Sequence, residues 1–153
     1  MKKSVSLLLF LFFILFHSQV SGQVFKLEEL AGFNKLDMDA FKTEIKKLKY
    51  TFYDRTESPK FVLYEYESPD YTYKIGKFVY TEEASQNHIE FQFKDRKEYD
   101  AYVKAVLTAG YKQTEKGKII TGENYMDYFK GKSQIRIVQP ETAQDAYAIL
   151  VFK

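Results

Sequence analysis

Residues 88–111 read HIEFQFKDRKEYDAYVKAVLTAGY, a segment that joins the pattern of a strand to the pattern of a helix. Its first six residues alternate between polar and large apolar side chains, which is typical of a strand with one buried face. From Asp95 onward the apolar residues recur at helical spacing, and Asp95 with Glu98 three positions later resembles a capping box. Gly110 predicts the end of this helix, because glycine adopts the left-handed conformation after a helix without strain.

A second helix is predicted upstream at residues 37–49, with the carboxylate of Asp37 as its N-cap. The downstream helix covers residues 95–109. Each carries one apolar stripe, formed by Met38, Phe41, Ile45 and Leu48 in the first and by Tyr99, Tyr102, Val103 and Val106 in the second. Placing Tyr50 opposite Tyr111, just after each helix, aligns the two halves at an offset of 61 residues. This alignment indicates an internal duplication.

The remaining apolar runs are separated by short loops, which favours antiparallel strands. They lie at residues 60–67, 71–80, 124–130, 133–138 and 146–152. The sequence therefore predicts one compact α+β domain of two repeats, 37–94 and 95–153, each a helix followed by an antiparallel run of three to four strands. We expect the helices to pack on one face of the sheet, and residues 23–36 to form a lead-in with a short helix at 27–30.

Two matching patterns carry a resemblance to known proteins: Phe41, Ile45, Leu48 and Tyr50 in the first half, and Tyr102, Val106 and Tyr111 in the second. In this layout the chain resembles small, uncharacterised secreted proteins of Gram-negative bacteria with a duplicated, β-lactamase-inhibitor-like architecture. The resemblance covers most of residues 37–153. It implies the α+β fold and brings no functional motif with it, so no site residue follows from it.

Residues 1–22 are typical of a secretory signal peptide. Lys2 and Lys3 precede an unbroken apolar run at residues 7–16, and the small residues up to Gly22 suit cleavage. A membrane-spanning helix needs about 20 apolar residues, so this run is too short to be one and no stable anchor is expected after cleavage. We therefore expect an exported protein that is periplasmic or extracellular.

The charge balance argues against several classes of partner. The chain has 23 Lys and Arg residues and 21 Asp and Glu residues. Because the predicted signal peptide contains Lys2 and Lys3 and no acidic residue, the mature chain has 21 of each and no net charge. A neutral chain lacks the basic field of nucleic-acid-binding proteins, so no nucleic-acid partner is expected.

The sequence contains few residues of the types that form catalytic, metal or cofactor sites. With no cysteine, the chain has no disulfide, thiolate metal site or cysteine nucleophile. His88 is the one histidine after residue 22, which leaves a His-based metal site or a Ser-His-Asp triad almost without candidates. We expect His88 to face solvent from its strand. No phosphate-binding loop is present, and we predict no catalytic residue, no metal and no cofactor.

Tyrosine is the most unusual feature, with 13 residues in the chain. Its ring is apolar and its tip polar, which suits protein interfaces and stacking on sugars. We therefore predict a non-catalytic binding module whose exposed sheet face contacts an envelope protein or a glycan. The candidate contacts are Tyr64, Tyr66, Tyr71, Tyr73, Tyr125 and Tyr128. Homodimerisation through the same face is an alternative, and so are cross-strand aromatic pairs that only stabilise the sheet.

A secreted hydrolase that uses carboxylates is the alternative from another class. Glu65 and Glu67 alternate along one predicted strand, so they share a face, and Asp70 follows closely. Glycosidases need two carboxyl groups roughly 5–9.5 Å apart across a cleft, a spacing that this arrangement allows. Two glutamates on a strand are more often its solvated face, so the binding module remains the leading hypothesis.

Overall fold

The structure is a computed structural model that describes residues 24–152. Its helices are α1 (Leu27–Lys35), α2 (Met38–Lys47) and α3 (Arg96–Thr108). Its strands are β1 (Thr51–Glu57), β2 (Phe61–Glu67), β3 (Lys74–Tyr80), β4 (His88–Phe93), β5 (Lys112–Lys118), β6 (Asn124–Lys130), β7 (Ser133–Gln139) and β8 (Tyr147–Phe152). Within residues 24–152, no helix combines the length and the apolar character needed to cross a membrane. The predicted signal peptide, residues 1–22, lies outside the described residues.

The starts of α2 and α3 are set by local side chains, as the sequence predicts. Asp37 Oδ1 accepts a hydrogen bond from a first-turn amide at 2.8 Å, and Asp95 Oδ1 accepts one at 2.7 Å. The reciprocal bond of a capping box is not made at α3. Glu98 instead accepts a hydrogen bond from the hydroxyl of Tyr73, at 3.1 Å, which ties α3 to the start of β3.

Helix α1 is longer than predicted, with nine residues instead of four. At its start, Glu29 accepts a hydrogen bond from the amide of Lys26 at 2.7 Å. At its end, Lys77 of β3 donates from Nζ to the carbonyls of Phe33 and Asn34, at 3.1 and 3.0 Å. A cation at a helix C-terminus is stabilising because the last carbonyls carry partial negative charge. Lys77 is distant in sequence, so the pattern of residues 23–36 alone could not show this support.

The eight strands form one continuous antiparallel sheet in the order β1-β2-β3-β4-β8-β7-β6-β5. The strand that follows all others in the chain, β8, therefore lies in the centre between β4 and β7. The edge strands β1 and β5 each carry an irregularity, between Phe52 and Asp54 and between Gln113 and Glu115. These irregularities are 61 residues apart, the same offset that relates Tyr50 to Tyr111. The described chain is thus α+β, with three helices and an eight-stranded antiparallel sheet.

One face of the sheet contributes to the hydrophobic core. A row of buried side chains crosses five strands in register: Tyr66, Ile75, Phe91, Ile149 and Ile137. Helix residues join the same cluster, since the ring of Phe41 lies 6.0 Å from that of Tyr66 and the ring of Tyr102 lies 5.1 Å from that of Phe93. Each such side chain contributes about 1.5–3 kcal/mol when fully buried. We call this side of the sheet the core face.

The opposite side, which we call the outer face, has a different composition. In register with one another across five strands are Glu65, Gly76, Glu90, Leu150 and Arg136. None of them belongs to the hydrophobic core cluster. Because side chains alternate along each strand, the core-face residues and these residues point to opposite sides of the sheet. Polar and charged groups are therefore concentrated on the outer face.

Candidate functional site

The structure separates the six tyrosines that the sequence groups together. Tyr66 and Tyr128 are each only 2% exposed and lie in the core, so the prediction that they line an exposed face is wrong. Tyr64 and Tyr73 are partly buried and pack against the same cluster. The alternation of side chains along β2 defines two faces. Because both faces carry large side chains, the alternation alone does not show which face lies in the core.

Tyr71 and Tyr125 lie elsewhere. Tyr71 is 76% exposed, in the loop between β2 and β3. Tyr125 is on the outer face, where its ring centroid lies 4.0 Å from Cζ of Arg136 and its hydroxyl donates to Glu115 at 2.8 Å. Of the six candidate contacts, Tyr125 is thus the one whose side chain lies on the outer face of the sheet.

Aromatic side chains other than the six candidate tyrosines occupy one end of the outer face. Phe61 on β2 is opposite Tyr80 on β3. The adjacent row crosses four strands in register and consists of Leu63, Phe78, His88 and Phe152. Ring centroids are 5.5 Å apart for Phe61 and Phe78, and 4.9 Å apart for His88 and Phe152. The sequence does contain a signal for this cluster, because the alternation along β2 puts Phe61 and Leu63 on the same side of the strand.

His88 does not face solvent, contrary to expectation, because the surrounding aromatic rings cover it. The residue is 5% exposed, and its Nδ1 lies 2.8 Å from the carbonyl oxygen of Gln86. Burial lowers the pKa of the imidazole to about 4, and the hydrogen bond to Gln86 opposes this effect only in part. At neutral pH His88 is therefore an uncharged part of an aromatic cluster.

A pocket of about 320 Å³ opens on the outer face beside this cluster. Its floor is apolar and is formed by Ala148 and Leu150 of β8 and by Ala146 just before that strand, with Val138 and Ile119 at one side. Its polar lining is Glu90, Gln92, Glu123, Arg136 and Asp145. Ala148 lies between Gln92 on β4 and Val138 on β7, and its small side chain leaves the depression between them. The pocket therefore joins an apolar floor to polar walls.

Two carboxylates approach each other at the edge of this pocket. Glu65 and Glu90 lie on either side of Gly76 in the register of β2, β3 and β4, and a small adjoining cleft is lined by all three. Burial raises the pKa of Glu90; Gln92 opposes this by hydrogen bonding, and the charge of Glu65 adds to it. Burial also raises the pKa of Glu65, with Lys74 acting in the opposite direction.

Arg136 is the cation in the pocket lining, and its charge is already matched. Its Nε and Nη2 donate to the two carboxylate oxygens of Asp127, both at 2.7 Å. Asp127 is 2% exposed, so the pair is a bidentate ion pair in a sheltered place. Arg136 thus contributes shape and hydrogen bonds to the pocket more than net positive charge.

Of the other two predicted carboxylates, the structure keeps Glu67 beside Glu65 and places Asp70 elsewhere. Glu67 shares its face, as predicted, and is paired with Lys74 at 3.5 Å. Asp70 lies in the following loop, where it accepts hydrogen bonds from the hydroxyl of Ser68 at 2.6 Å and the amide of Thr72 at 3.2 Å. These bonds lower the pKa of Asp70. Two further carboxylates near Glu65 come from other strands: Asp54 is opposite it on β1, and Glu90 lies beyond Gly76 on β4, 25 positions away in the sequence.

Comparison of the chain with known protein families, with curated proteins and with solved structures finds no match. In the part of the chain that the structure describes, no group of three or more His, Cys, Asp or Glu side chains is arranged to hold a metal ion.

Proposed function

We propose that the protein is an exported, non-catalytic binding module and that the outer face is its contact surface. The observation that carries this proposal is the pocket of about 320 Å³ on that face, with its apolar floor and polar walls. Ligand sites in proteins typically combine these features at a volume of about 300–1,000 Å³. The contact surface is thus the side of β2 that carries Glu65, instead of the side that carries Tyr64 and Tyr66.

The surroundings of the pocket support an extended ligand. The aromatic end of the outer face, with Phe61, Phe78 and Tyr80, lies next to the carboxylate row in the register of the sheet. Aromatic rings beside polar groups suit either a protein surface or a sugar. We therefore propose an envelope protein or a glycan as the partner. Its contacts would be the pocket and the aromatic end of the outer face, and of the six candidate tyrosines only Tyr125 lies on that face.

We also infer that the sheet arose by duplication, with its helices on the core face. A helix followed by four strands occurs twice in the order of elements, and the edge irregularities repeat at the offset of 61 residues. The resemblance to duplicated, β-lactamase-inhibitor-like secreted proteins is part of this proposal. A duplicated sheet explains why one face can be wide and continuous enough to serve as a contact surface.

Affinity capture tests the binding proposal. The protein, purified in the form that cells export, is used as bait for envelope material of its own organism, and captured proteins and glycans are identified by mass spectrometry. We expect Ala148→Met, which fills the pocket floor, to abolish capture. Ala84→Met, the same change at an exposed position of the turn before β4, should retain it. Both variants must melt cooperatively near the wild-type temperature. Equal capture by both variants would remove the outer face as the site.

A second candidate function rests on Glu65 and Glu90. Two carboxyl groups with raised pKa values beside a pocket resemble the acid and base pairs of hydrolases. Turnover of envelope glycans that is lost in both Glu65→Gln and Glu90→Gln would favour a hydrolase over a binding module. Glu67→Gln is the matched control, because Glu67 lies on the same strand and face and is paired with Lys74.

A further inference from the structure

We propose that the corner between α2 and β1 binds the surface of an anionic lipid bilayer. The corner is residues 46–53, which read KKLKYTFY. It contributes no residue to the pocket on the outer face, so this proposal goes beyond the proposed function and does not depend on it.

Three large apolar side chains of the corner are exposed. Leu48 is 47% exposed, Phe52 is 55% exposed and Tyr53 is 50% exposed. Leu48 directly follows α2, whereas Phe52 and Tyr53 belong to the edge strand β1. Leu48 and Tyr53 are five positions apart in the chain, so their Cα atoms are at most about 18 Å apart. Exposed apolar side chains that lie close together tend to mark contact sites, whereas isolated ones are normal on any protein surface.

The same corner is basic. Lys46, Lys47 and Lys49 are all exposed, and no carboxylate occurs in residues 46–53. Lys47 is paired with Glu44 at 2.7 Å. Among residues 24–152, none of the ion pairs includes Lys46 or Lys49. The corner therefore combines exposed apolar side chains with two cations whose charge is not matched by an ion pair.

The carboxylate that follows the corner in the chain lies on the other side of the sheet. Asp54 is opposite Glu65, which is on the outer face, whereas Phe52 is opposite Tyr66, which is on the core face. Helix α2 is also on the core-face side, where the ring of Phe41 contacts that of Tyr66. The side of the corner that carries Phe52 and the end of α2 is thus separated from Asp54 by the strand itself.

The turn between α3 and β5 has the same backbone geometry as the corner. Each turn makes the same two backbone hydrogen bonds to the end of its helix, and each contains one residue with positive φ, Lys49 at 64° and Gly110 at 86°. The positions that match the three exposed apolar residues of the corner carry Ala109, Gln113 and Thr114. Because both turns fold alike, the fold does not require the apolar side chains of the corner.

Lys49 is the clearest difference between the two turns. A positive φ is strained for a residue with a β-carbon and is free of strain for glycine. Gly110 makes the second turn without strain, whereas the corner keeps a lysine at the matching position. A strained and exposed residue that folding does not favour indicates a role in binding.

A bilayer surface matches both properties of the corner. Anionic headgroups attract Lys46 and Lys49, whose long aliphatic stems let the charged ends stay at headgroup level while neighbouring apolar groups insert more deeply. Leu48 and Phe52 would be buried at the boundary between headgroups and acyl chains. A soluble polyanion would use the lysines but leave these two side chains in water. The corner therefore fits an anionic bilayer better than a soluble polyanion.

The test is flotation of lipid vesicles with the protein purified in the form that cells export. One set of vesicles contains equal parts of phosphatidylcholine and phosphatidylglycerol, and the other contains phosphatidylcholine alone. We expect the protein to float with the anionic vesicles, to bind them less as the salt concentration rises, and not to float with the neutral ones. No flotation with the anionic vesicles, or equal flotation with both sets, would overturn the proposal.

Apolar variants distinguish a bilayer from a soluble polyanion. Leu48→Ala combined with Phe52→Gln introduces the residue types of the second turn and should weaken vesicle binding by about tenfold or more. Leu107→Ala is the matched control, because Leu107 is 52% exposed at the second turn, and it should bind vesicles as the wild type does. If the double variant binds vesicles and dextran sulfate as tightly as the wild type, the corner is a site for polyanions in general and the bilayer proposal is wrong.

Lys49→Gly separates binding from folding. Removing the strain of the positive φ should raise the melting temperature, while removing the charge should weaken vesicle binding by about fivefold. A loss of binding in a more stable protein could not come from unfolding. Lys46→Gln should weaken binding to a similar extent, and Lys104→Gln, on the exposed side of α3, should leave it unchanged. Unchanged binding by Lys49→Gly, or an equal loss in Lys104→Gln, would reject the corner as the site.

Discussion

His88 lies flat against Phe78, with ring centroids 4.3 Å apart and ring planes 17° apart. A charged imidazolium would be poorly solvated in this stack, which is why the pKa of His88 is lowered to about 4 from its usual 6.5. No other histidine lies among the described residues, so His88 should make a distinct contribution to the pH dependence of the free energy of unfolding.

The unfolded chain binds a proton at His88 below pH 6.5, whereas the folded protein does so only near pH 4. The contribution of His88 to stability is therefore fully present above pH 6.5 and is lost as the pH falls from 6.5 towards 4. The loss reaches about 3 kcal/mol at the lower end. Urea unfolding at several pH values measures it. His88→Phe should remove this part of the pH dependence; the same slope in the variant would show that His88 is not its source. Glu65 and Glu90 contribute the opposite slope, because a carboxyl group whose pKa is raised by folding makes stability rise as the pH falls.

Removing only Arg136 from its ion pair with Asp127 should destabilise the protein more than removing both partners. Arg136→Met leaves the carboxylate of Asp127 sheltered from water without its two donors, and we expect a loss of about 3 kcal/mol in the free energy of unfolding. Arg136→Met combined with Asp127→Leu should recover much of that loss, because no uncompensated charge remains. Chemical denaturation of the single and double variants measures both effects. Additive destabilisation in the double variant would show that the pair is not coupled.

Lys77 supports α1 from the sheet, and its removal should weaken that helix in particular. Lys77→Met keeps most of the aliphatic chain but removes the donor to the carbonyls of Phe33 and Asn34. We expect a loss of about 2 kcal/mol, and faster hydrogen exchange in α1 than in α3. Lys104→Met, on the exposed side of α3, is the matched control and should be nearly neutral. Uniform acceleration of exchange in all helices would contradict a local role.

Two glycines should respond in opposite ways to the same change. A β-carbon at Gly76 would lie 3.1 Å from Cδ1 of Leu63 and 3.5 Å from Cγ of Glu65, so Gly76→Ala should cost about 1 kcal/mol. A β-carbon at Gly32, within α1, meets nothing within 4 Å. Gly32→Ala should therefore stabilise the protein by about 0.5–1 kcal/mol. Thermal melting ranks the two variants against wild type, and the reverse order would contradict the packing around Gly76.

Local signals in the sequence predict local structure well. The carboxylates of Asp37 and Asp95 act within one turn of their own helices, so their roles follow from neighbouring residues alone. The alternation of residues 88–93 likewise reflects a strand with two faces. These interactions need no information about which other segment lies alongside, and the structure agrees with them.

The candidate site could not be predicted in the same way because its residues meet only through strand order. Glu90 approaches Glu65 across Gly76, and Glu123 reaches the pocket from a loop of the second half of the chain. The pocket floor exists because β8 enters between β4 and β7. The burial of Tyr66 and the position of Glu65 on the outer face also depend on which side of β2 faces the core cluster. The large residues on both sides of β2 hide that choice in the sequence.

The central position of β8 has a consequence for how the chain reaches its native state. Strands β1 to β4 can pair as neighbours while the chain is still incomplete, and so can β5 to β7, but the two groups share no border until residues 147–152 arrive. The joining step closes contacts across some 60 positions, which makes it slow relative to hairpin formation. Until that step, the buried row that includes Phe91 and Ile137 stays divided, so neither half of the chain can complete the core before the other half is present.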